Sequence, residues 1–407
     1  MTQDASAQVR WLYLDMNSFF ASVEQEMNPG LRGKPVAVVP LLADTTSCIA
    51  VSYEGKAFGV RTGTKVGEAK RLCPKIQLIV GNHEHYVRYH NRIVETVESC
   101  VPVEAVCSID EIASRLTGSQ QAVAVARALA EKIKTAIKTR VGSSLRCSIG
   151  VAPNRYLAKI AADMKKPDGF TVIRPCDLPE ILYGLKVRDL PGVGAAMEER
   201  LAQRGIRTME TLCSFSRKDL RQAWGSVSGE KIWDLLRGNE VDELASEQQT
   251  ISHSHVLAPE LRNPPDALRV LKKLTTKTAS RLRSEEVWAT RIEVFVRFLG
   301  KDTWKAKCNL TDTQDTLAFL HAIAEMWTGL PTGSPYAVGV ALSGLIPDSK
   351  HSPSLFDNPK TGKLTKALDA LNERFGKEMV HFGATHDAGE LAPLRIAFTR
   401  IPDESES

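Results

Sequence analysis

Two short apolar stretches each run straight into carboxylates, and this pattern limits the fold more than any other feature of the chain. In "VRWLYLDMNSFF" the side chains alternate: Trp11, Tyr13 and Asp15 fall on one face of a strand, Leu12 and Leu14 on the other. "VEAVCSIDE" reads as a second strand, ending at Asp110 and Glu111. Set side by side in one sheet, the two strands would bring three carboxylates to one edge. Neighbouring residues on a regular strand point to opposite faces, so Asp110 and Glu111 can share a site only where the strand turns or bulges. Like charges at such a spot repel, and a divalent cation would hold them together. The plain alternative is three solvated strand-end acids.

The surrounding text alternates strand and helix patterns. Strands are expected at "GKPVAVVP" and "RCSIGVAPN", a strand and short helix in "SCIAVSYEGKAFGVRTG", and helices in "HYVRYHNRIVETVESCVP", "QQAVAVARALAEKIKTAIKTRVG" and "RYLAKIAADMKKPDG". From about residue 176 short helices follow one another, punctuated by glycine and serine. "DELASEQQT" reads as a polar linker, and residues 250 to about 345 return to strands and helices. A proline- and lysine-bearing loop and a last helix, "LTKALDALNERFG", follow. The acidic end "PDESES" reads as disordered. The fold class is therefore α+β in several domains, as 407 residues would require.

Bulk chemistry excludes more than it selects. The eight cysteines include no C-x-x-C pair, which argues against a zinc ribbon or a disulfide framework and for reduced thiols in a cytoplasmic protein. His83, His85 and His90, and the pair His253 and His255, lack the company of a zinc site and read as ordinary surface or core residues. No apolar run reaches the ~20 residues of a membrane helix, so no membrane partner is expected.

"LDMNSFFASVEQ", "SYEGKAFGVRTG", "CSIDE", "SIGVAPNRYLAKIAADMKKPDG" and "LPGVG" occur in the order and at about the spacing found in Y-family translesion DNA polymerases of the DNA polymerase IV class. The chain resembles that family over roughly residues 10 to 345. The resemblance implies a right-hand polymerase: a palm from 1–26 and 79–175, small fingers over 27–78, a helical thumb over 176–243, and an α/β little-finger domain over 250–345. Residues 346–407 would form a C-terminal extension, partly disordered. It implies Asp15, Asp110 and Glu111 as catalytic ligands of two Mg²⁺ ions, with the Met16 carbonyl as a further donor and Mn²⁺ as an alternative metal. It also implies an open, error-prone active site without proofreading.

A nucleoside triphosphate needs cations around its phosphates. Tyr53 and Lys56, one helical turn apart, and Lys166 at a helix end are the candidates. Where the family usually reads Y-E-A-R-K-F, this chain reads Tyr53-Glu54-Gly55-Lys56-Ala57-Phe58, and a lysine cannot form arginine's bidentate fork. A second departure follows the acids, where A-Y-L-D is replaced by Ile112, Ala113, Ser114 and Arg115. Phe19 and Phe20 lie just past Asp15. By resemblance Phe20 packs under the sugar and excludes a 2′-hydroxyl; Phe19 is counted with it among the substrate-binding residues, and a place in the core is the plain alternative for Phe19.

For DNA, "LPGVGAAMEERLAQRGI" fits a helix-hairpin-helix in which Gly192 and Gly194 let the backbone approach a phosphate. Between Arg269 and Lys307, eleven basic residues face four acidic ones, a local +7 that exceeds the whole chain's +5. Lys272, Lys273 and Lys277 on a helix, and Arg291 and Arg297 on one face of a strand, would meet a duplex backbone. "SPSLFD" resembles the Leu-Phe peptides that dock on the sliding clamp, which would make Ser352–Phe356 a clamp contact; a loop packing Leu355 and Phe356 on the chain's own surface fits equally. The expected partners are primer-template DNA and a dNTP, with the protein a nucleoid-associated monomer. The rival reading is a catalytically weak or inactive DNA-binding accessory subunit derived from such a polymerase.

Overall fold

The computed structural model describes residues 9–241, 249–300, 303–351, 359–375, 379–388 and 401. The chain divides into two compact units, residues 1–243 with 395–407, and residues 244–394.

The first unit is built on β1 (Trp11–Met16), α1 (Phe19–Met27), β2 (Val36–Val39), β3 (Ala50–Val51), α2 (Tyr53–Ala57), α3 (Val66–Leu72), β4 (Gln77–Val80), α4 (His83–Glu98), β5 (Ala105–Ser108), β6 (Glu111–Arg115), α5 (Val123–Arg140), β7 (Cys147–Ala152), α6 (Arg155–Met164) and β8 (Phe170–Val172). Four helices follow: α7 (Ala195–Gln203), α8 (Met209–Ser214), α9 (Arg217–Trp224) and α10 (Ser228–Leu235). The main sheet runs β5-β6-β1-β7-β8, with β1 central and antiparallel to both neighbours.

The alternation read from residues 11–15 sorts side chains into two cores. Leu12, Leu14, Ile112 and Ile149 face a core shared with α4 and α5. Trp11, Tyr13 and Ala113 face a second one, closed by α6 and the helices α7–α10. Helix α6 lies so close to β7 that a Cβ at Gly150 would stand 2.1 Å from the Ala158 carbonyl oxygen, so glycine is required there. Asn154 caps α6 and also donates to the carbonyls of Leu235 and Asn239, and Trp11 Nε1 donates to Glu240, which ties the end of the helical part back to the sheet. A smaller sheet, β3-β2-β4, carries its own core with α3, including Ala37, Val39, Val51, Val66 and Ala69.

The second unit contains β9 (Thr250–Val256), α11 (Pro264–Ser284), β10 (Val287–Phe298), β11 (Trp304–Thr313), α12 (Thr316–Trp327), β12 (Pro335–Pro347) and α13 (Pro359–Phe375). Its antiparallel sheet runs β11-β10-β12-β9 and packs one face on α11 and α12. Strand β9 is not expected from its sequence: in "TISHSHV" most positions are polar, and only Ile251 and His255 are buried. On the opposite, exposed face, Arg291, Phe295 and Arg297 of β10 stand beside Lys305 and Lys307 of β11, with Thr250, Ser252 and Ser254 across β12. Helix α13 of the expected C-terminal extension packs on α11, where Asp369 pairs with Arg283 at 2.5 and 2.9 Å and accepts from Ser280. "SPSLFD" and the terminal "PDESES" lie outside the described residues. None of the described helices is long and apolar enough to cross a membrane.

Candidate active site

The three acids are brought together by strand register. Asp15 on β1 stands directly opposite Glu111 on β6, and the Met16 N–H donates to the Asp110 carbonyl at 2.9 Å. The sequence puts Asp110 and Glu111 at the end of a strand, where sharing a site requires a turn or bulge; the turn is a hairpin, with Ile109 and Asp110 at its tip and Glu111, paired to Ser108, opening the return strand β6. "IASR" after the acids is the return strand, with Ile112, Ala113 and Ser114 buried, so the departure from the family text costs no burial. The turn is what lets adjacent carboxylates face one region. His90, buried on α4, holds the hairpin tip through Nδ1 to the Ile109 carbonyl at 2.8 Å, and burial lowers its pKa so that the neutral ring donates there.

Each carboxylate has its own partner. Lys166 Nζ lies 2.7 Å from Asp15 and 2.7 Å from Asp163, Lys159 Nζ lies 2.6 Å from Glu111, and Ser108 Oγ donates to Asp110 at 2.7 Å. Burial pushes Asp15 up to about 7, with Lys166 opposing it only in part. Burial also raises Asp110, against the hydrogen bond from Ser108. For Glu111 burial acts the same way, but Lys159, helped by Tyr13 and Ser108, outweighs it and holds the carboxyl low. Burial disfavours the Lys166 ammonium, yet Asp15 and Asp163 prevail and raise it. Among the described residues no three His, Cys, Asp or Glu side chains are gathered into a ready-made metal cage. The donor set nevertheless suits a hard divalent cation: three carboxylates and the Met16 carbonyl at one sheet edge, their charge met here by two lysines.

The remaining predicted residues surround this edge unevenly. Lys56 reaches across to Ser18 at 2.8 Å and lies 4.3 Å over the Tyr53 ring. Phe19, counted among the substrate-binding residues, is buried in the core at 3% exposure, whereas Phe20 is half-buried and stacks on Tyr86 at 4.2 Å. The Tyr86 hydroxyl donates to Glu24 at 2.7 Å, which fixes the ring behind Phe20. Gly192, at φ 84°, and Gly194, the N-cap of α7, form an open loop with room around both Cα atoms. In the second unit Arg291 and Arg297 share the exposed sheet face, as their spacing predicted. Lys272, Lys273 and Lys277 do not join that surface. They belong to α11, which packs on the other side of the sheet, and Lys273 is only 4% exposed beside a cavity of about 120 Å³ under α13. A charge count along the sequence cannot see that α13 covers this helix.

Sequence reasoning missed Lys159, Ser108, Asn17 and His90. Lys159 had a signal, a lone cation inside the apolar run "YLAKIAADM". Asn17 had none. Buried, it accepts from the Asp168 N–H at 2.7 Å and bonds Ser148, linking the end of β1 to the loop that carries Lys166.

Three family models match the chain: the impB/mucB/samB family over residues 14–163, that family's C-terminal domain over 248–355, and the DNA polymerase-iota thumb domain over 188–240. A DNA polymerase IV of Moorella thermoacetica is 32% identical, across 91% of this chain and 94% of that one. The chain belongs to the Y family of DNA polymerases, in the DNA polymerase IV group. DNA polymerase IV 1 of Bacillus subtilis is 30% identical over 97% of this chain and 98% of its own length. A Y-family DNA polymerase chimera of Dbh and Dpo4 shares the fold, with a TM-score of 0.70 at 24% identity over 83% of this chain and 99% of that one. Membership makes the protein a DNA-directed DNA polymerase of the translesion type, a metal-dependent nucleotidyltransferase.

The raised Asp15 pKa gives this Y-family site a measurable signature without metal. An acid whose folded pKa lies above its unfolded value favours folding at low pH, and that contribution is lost as pH rises through the folded pKa. In EDTA, stability should therefore fall between the ordinary value of 3.8 and about 7 through Asp15. Asp15→Asn is expected to flatten that part of the curve, read by urea unfolding across the window. A variant curve parallel to the parent's would refute the assignment.

Proposed function

We propose that the Y-family activity of this chain is template-directed, two-metal nucleotidyl transfer from a dNTP to a primer 3′-hydroxyl, at the sheet edge formed by Asp15, Asp110 and Glu111. The register of Asp15 against Glu111, with Asp110 at the adjoining hairpin, is the observation that carries this reading. These three carboxylates and the Met16 carbonyl would hold two Mg²⁺ ions, or Mn²⁺ in their place. Bound there, the ions supply charge neutralisation on the phosphates and a more acidic 3′-hydroxyl. The protein's own part is orientation. The β1–β6 pairing fixes the three acids, and the lysines that meet their charge stand where triphosphate oxygens would arrive. Lys166, Lys56 and Tyr53 bind those oxygens, and Phe20, backed by Tyr86, closes the space beside the sugar C2′.

The domain roles follow the same reading: palm in 1–26 and 79–175, fingers in 27–78, thumb in 176–243, little finger in 250–345 and an extension in 346–407. Primer-template DNA meets the Gly192–Gly194 loop and the exposed sheet face with Arg291, Arg297, Lys305 and Lys307. Helix α11, with Lys272, Lys273 and Lys277, is left out of that contact because it lies on the covered side of the sheet. The protein acts as a monomer at the nucleoid, with low fidelity and no proofreading, and the segment Ser352–Phe356 offers a sliding clamp its Leu-Phe pair.

Three measurements test this reading. Primer extension with Mg²⁺ should fall by roughly 10³-fold in Asp110→Ala while primer-template binding stays near the parent's; a parent that binds but never extends would favour an accessory role. Phe20→Ala should raise ribonucleotide use relative to dNTP by about ten-fold or more, since the volume beside C2′ opens, and unchanged discrimination would remove the gate. Arg291→Ala and Arg297→Ala should each reduce the slope of log affinity against log salt by about one. Slopes equal to the parent's would move the DNA to another surface.

A further inference from the structure

Ser18 stands at the start of α1, where its carbonyl accepts from the Ser22 N–H at 3.0 Å while its side chain serves nothing within the helix. It is the N-cap residue, where a serine ordinarily accepts from the first helical N–H groups, yet its side chain makes no capping bond. Its backbone lies in the left-handed region, φ 50° and ψ 44°, sparsely populated for any residue but glycine, asparagine and aspartate. The hydroxyl accepts instead from Lys56 Nζ at 2.8 Å, across 38 residues of chain. Strain of this kind persists where the surroundings over-determine it, and such sites cluster around function.

We propose that Ser18 is a positioning residue for the incoming nucleotide, holding the Lys56 ammonium at the edge of the site beside Asp15. The inference rests on the reading that Lys56 meets the triphosphate. A lysine offers one rotatable point charge on a flexible stem, whereas an arginine carries its donors in a rigid fork. A lysine at this position therefore gains from a fixed anchor. The structure gives it two: the Ser18 hydroxyl on one side and the Tyr53 ring, 4.3 Å away, on the other. Arg61 completes the arrangement from behind, donating to the Lys56 carbonyl and to the Val60 carbonyl at 3.1 Å, which braces the end of α2. The Lys56 ammonium is itself pressed toward the neutral form by burial and by Lys166 and Arg61. A phosphate oxygen would relieve that pressure. The left-handed turn at Ser18 is what aims the hydroxyl at Lys56 and away from the N–H groups of its own helix.

A double-mutant cycle tests this. Ser18→Gly keeps the left-handed turn and removes the acceptor; Ser18→Ala removes the same hydroxyl with a different backbone preference, as a control on α1. Steady-state dNTP incorporation on a primer-template is read for Ser18→Gly, Lys56→Met and the pair, with thermal unfolding and primer-template affinity to show that the variants fold. The expected result is a dNTP KM raised about five-fold by Ser18→Gly, a smaller change in kcat, and no further rise when Ser18→Gly is added to Lys56→Met. If Lys56→Met raises KM and Ser18→Gly does not, the positioning role is overturned while the reading of Lys56 stands. Equal effects of Ser18→Gly in both backgrounds overturn it too, because Ser18 would then act on something other than Lys56. If Lys56→Met leaves KM unchanged, the nucleotide-binding reading of Lys56 fails, and the inference fails with it.

Discussion

The site depends on one antiparallel pairing, β1 against β6. That ladder sets Asp15 opposite Glu111 and joins the Met16 N–H to the Asp110 carbonyl. A slip of one residue would send Asp15 and its neighbours to the opposite face, because side chains alternate with a period of two. The slip is resisted from both sides of the sheet. Leu12 and Leu14 are buried against α4 and α5, Trp11 and Tyr13 against α6 and the helices beyond it. Few registers satisfy two cores at once, so the burial of four apolar side chains is what fixes three polar ones.

Concentrating carboxylates at a buried edge is unfavourable, and the structure distributes the charge. Lys159 stabilises ionised Glu111, Ser108 donates to Asp110, and Lys166 divides its charge between Asp15 and Asp163. Asp15 remains the least comfortable of the three, its pKa pushed up to about 7 by burial. A site held this way carries a standing demand for positive charge, the condition under which a hard divalent cation binds well. The two lysines meet that demand in the structure described, and they come from α6 and from the loop after it, elements that Asn17 and Gly150 hold tightly to the central strands.

The second unit shows how far charge counting along a sequence can reach. Arg291 and Arg297 do share an exposed strand face, because the period of a strand is visible in spacing alone. Lys273, a few residues away in the same basic run, is buried beneath α13, whose Asp369 also pairs with Arg283. Both outcomes come from one charge-rich segment. The deciding contact lies about ninety residues downstream, where no local pattern records it.

Much of this protein was legible in the order of its residues. Alternation at 11–15, the carboxylates that follow it, the glycines near 192 and the change of texture after 176 are local properties. They arise from side-chain direction and backbone freedom, which operate over a few residues. Family resemblance then tied the separate pieces to one chemistry. Tertiary structure decided what is not local. It set Asp15 opposite Glu111, formed an edge strand from the polar text at Thr250–Val256, withdrew Lys273 into the interior, and gave Lys56 its partner in Ser18. In each case the determining interaction joins residues far apart in sequence, and only the packing of whole elements brings them within reach.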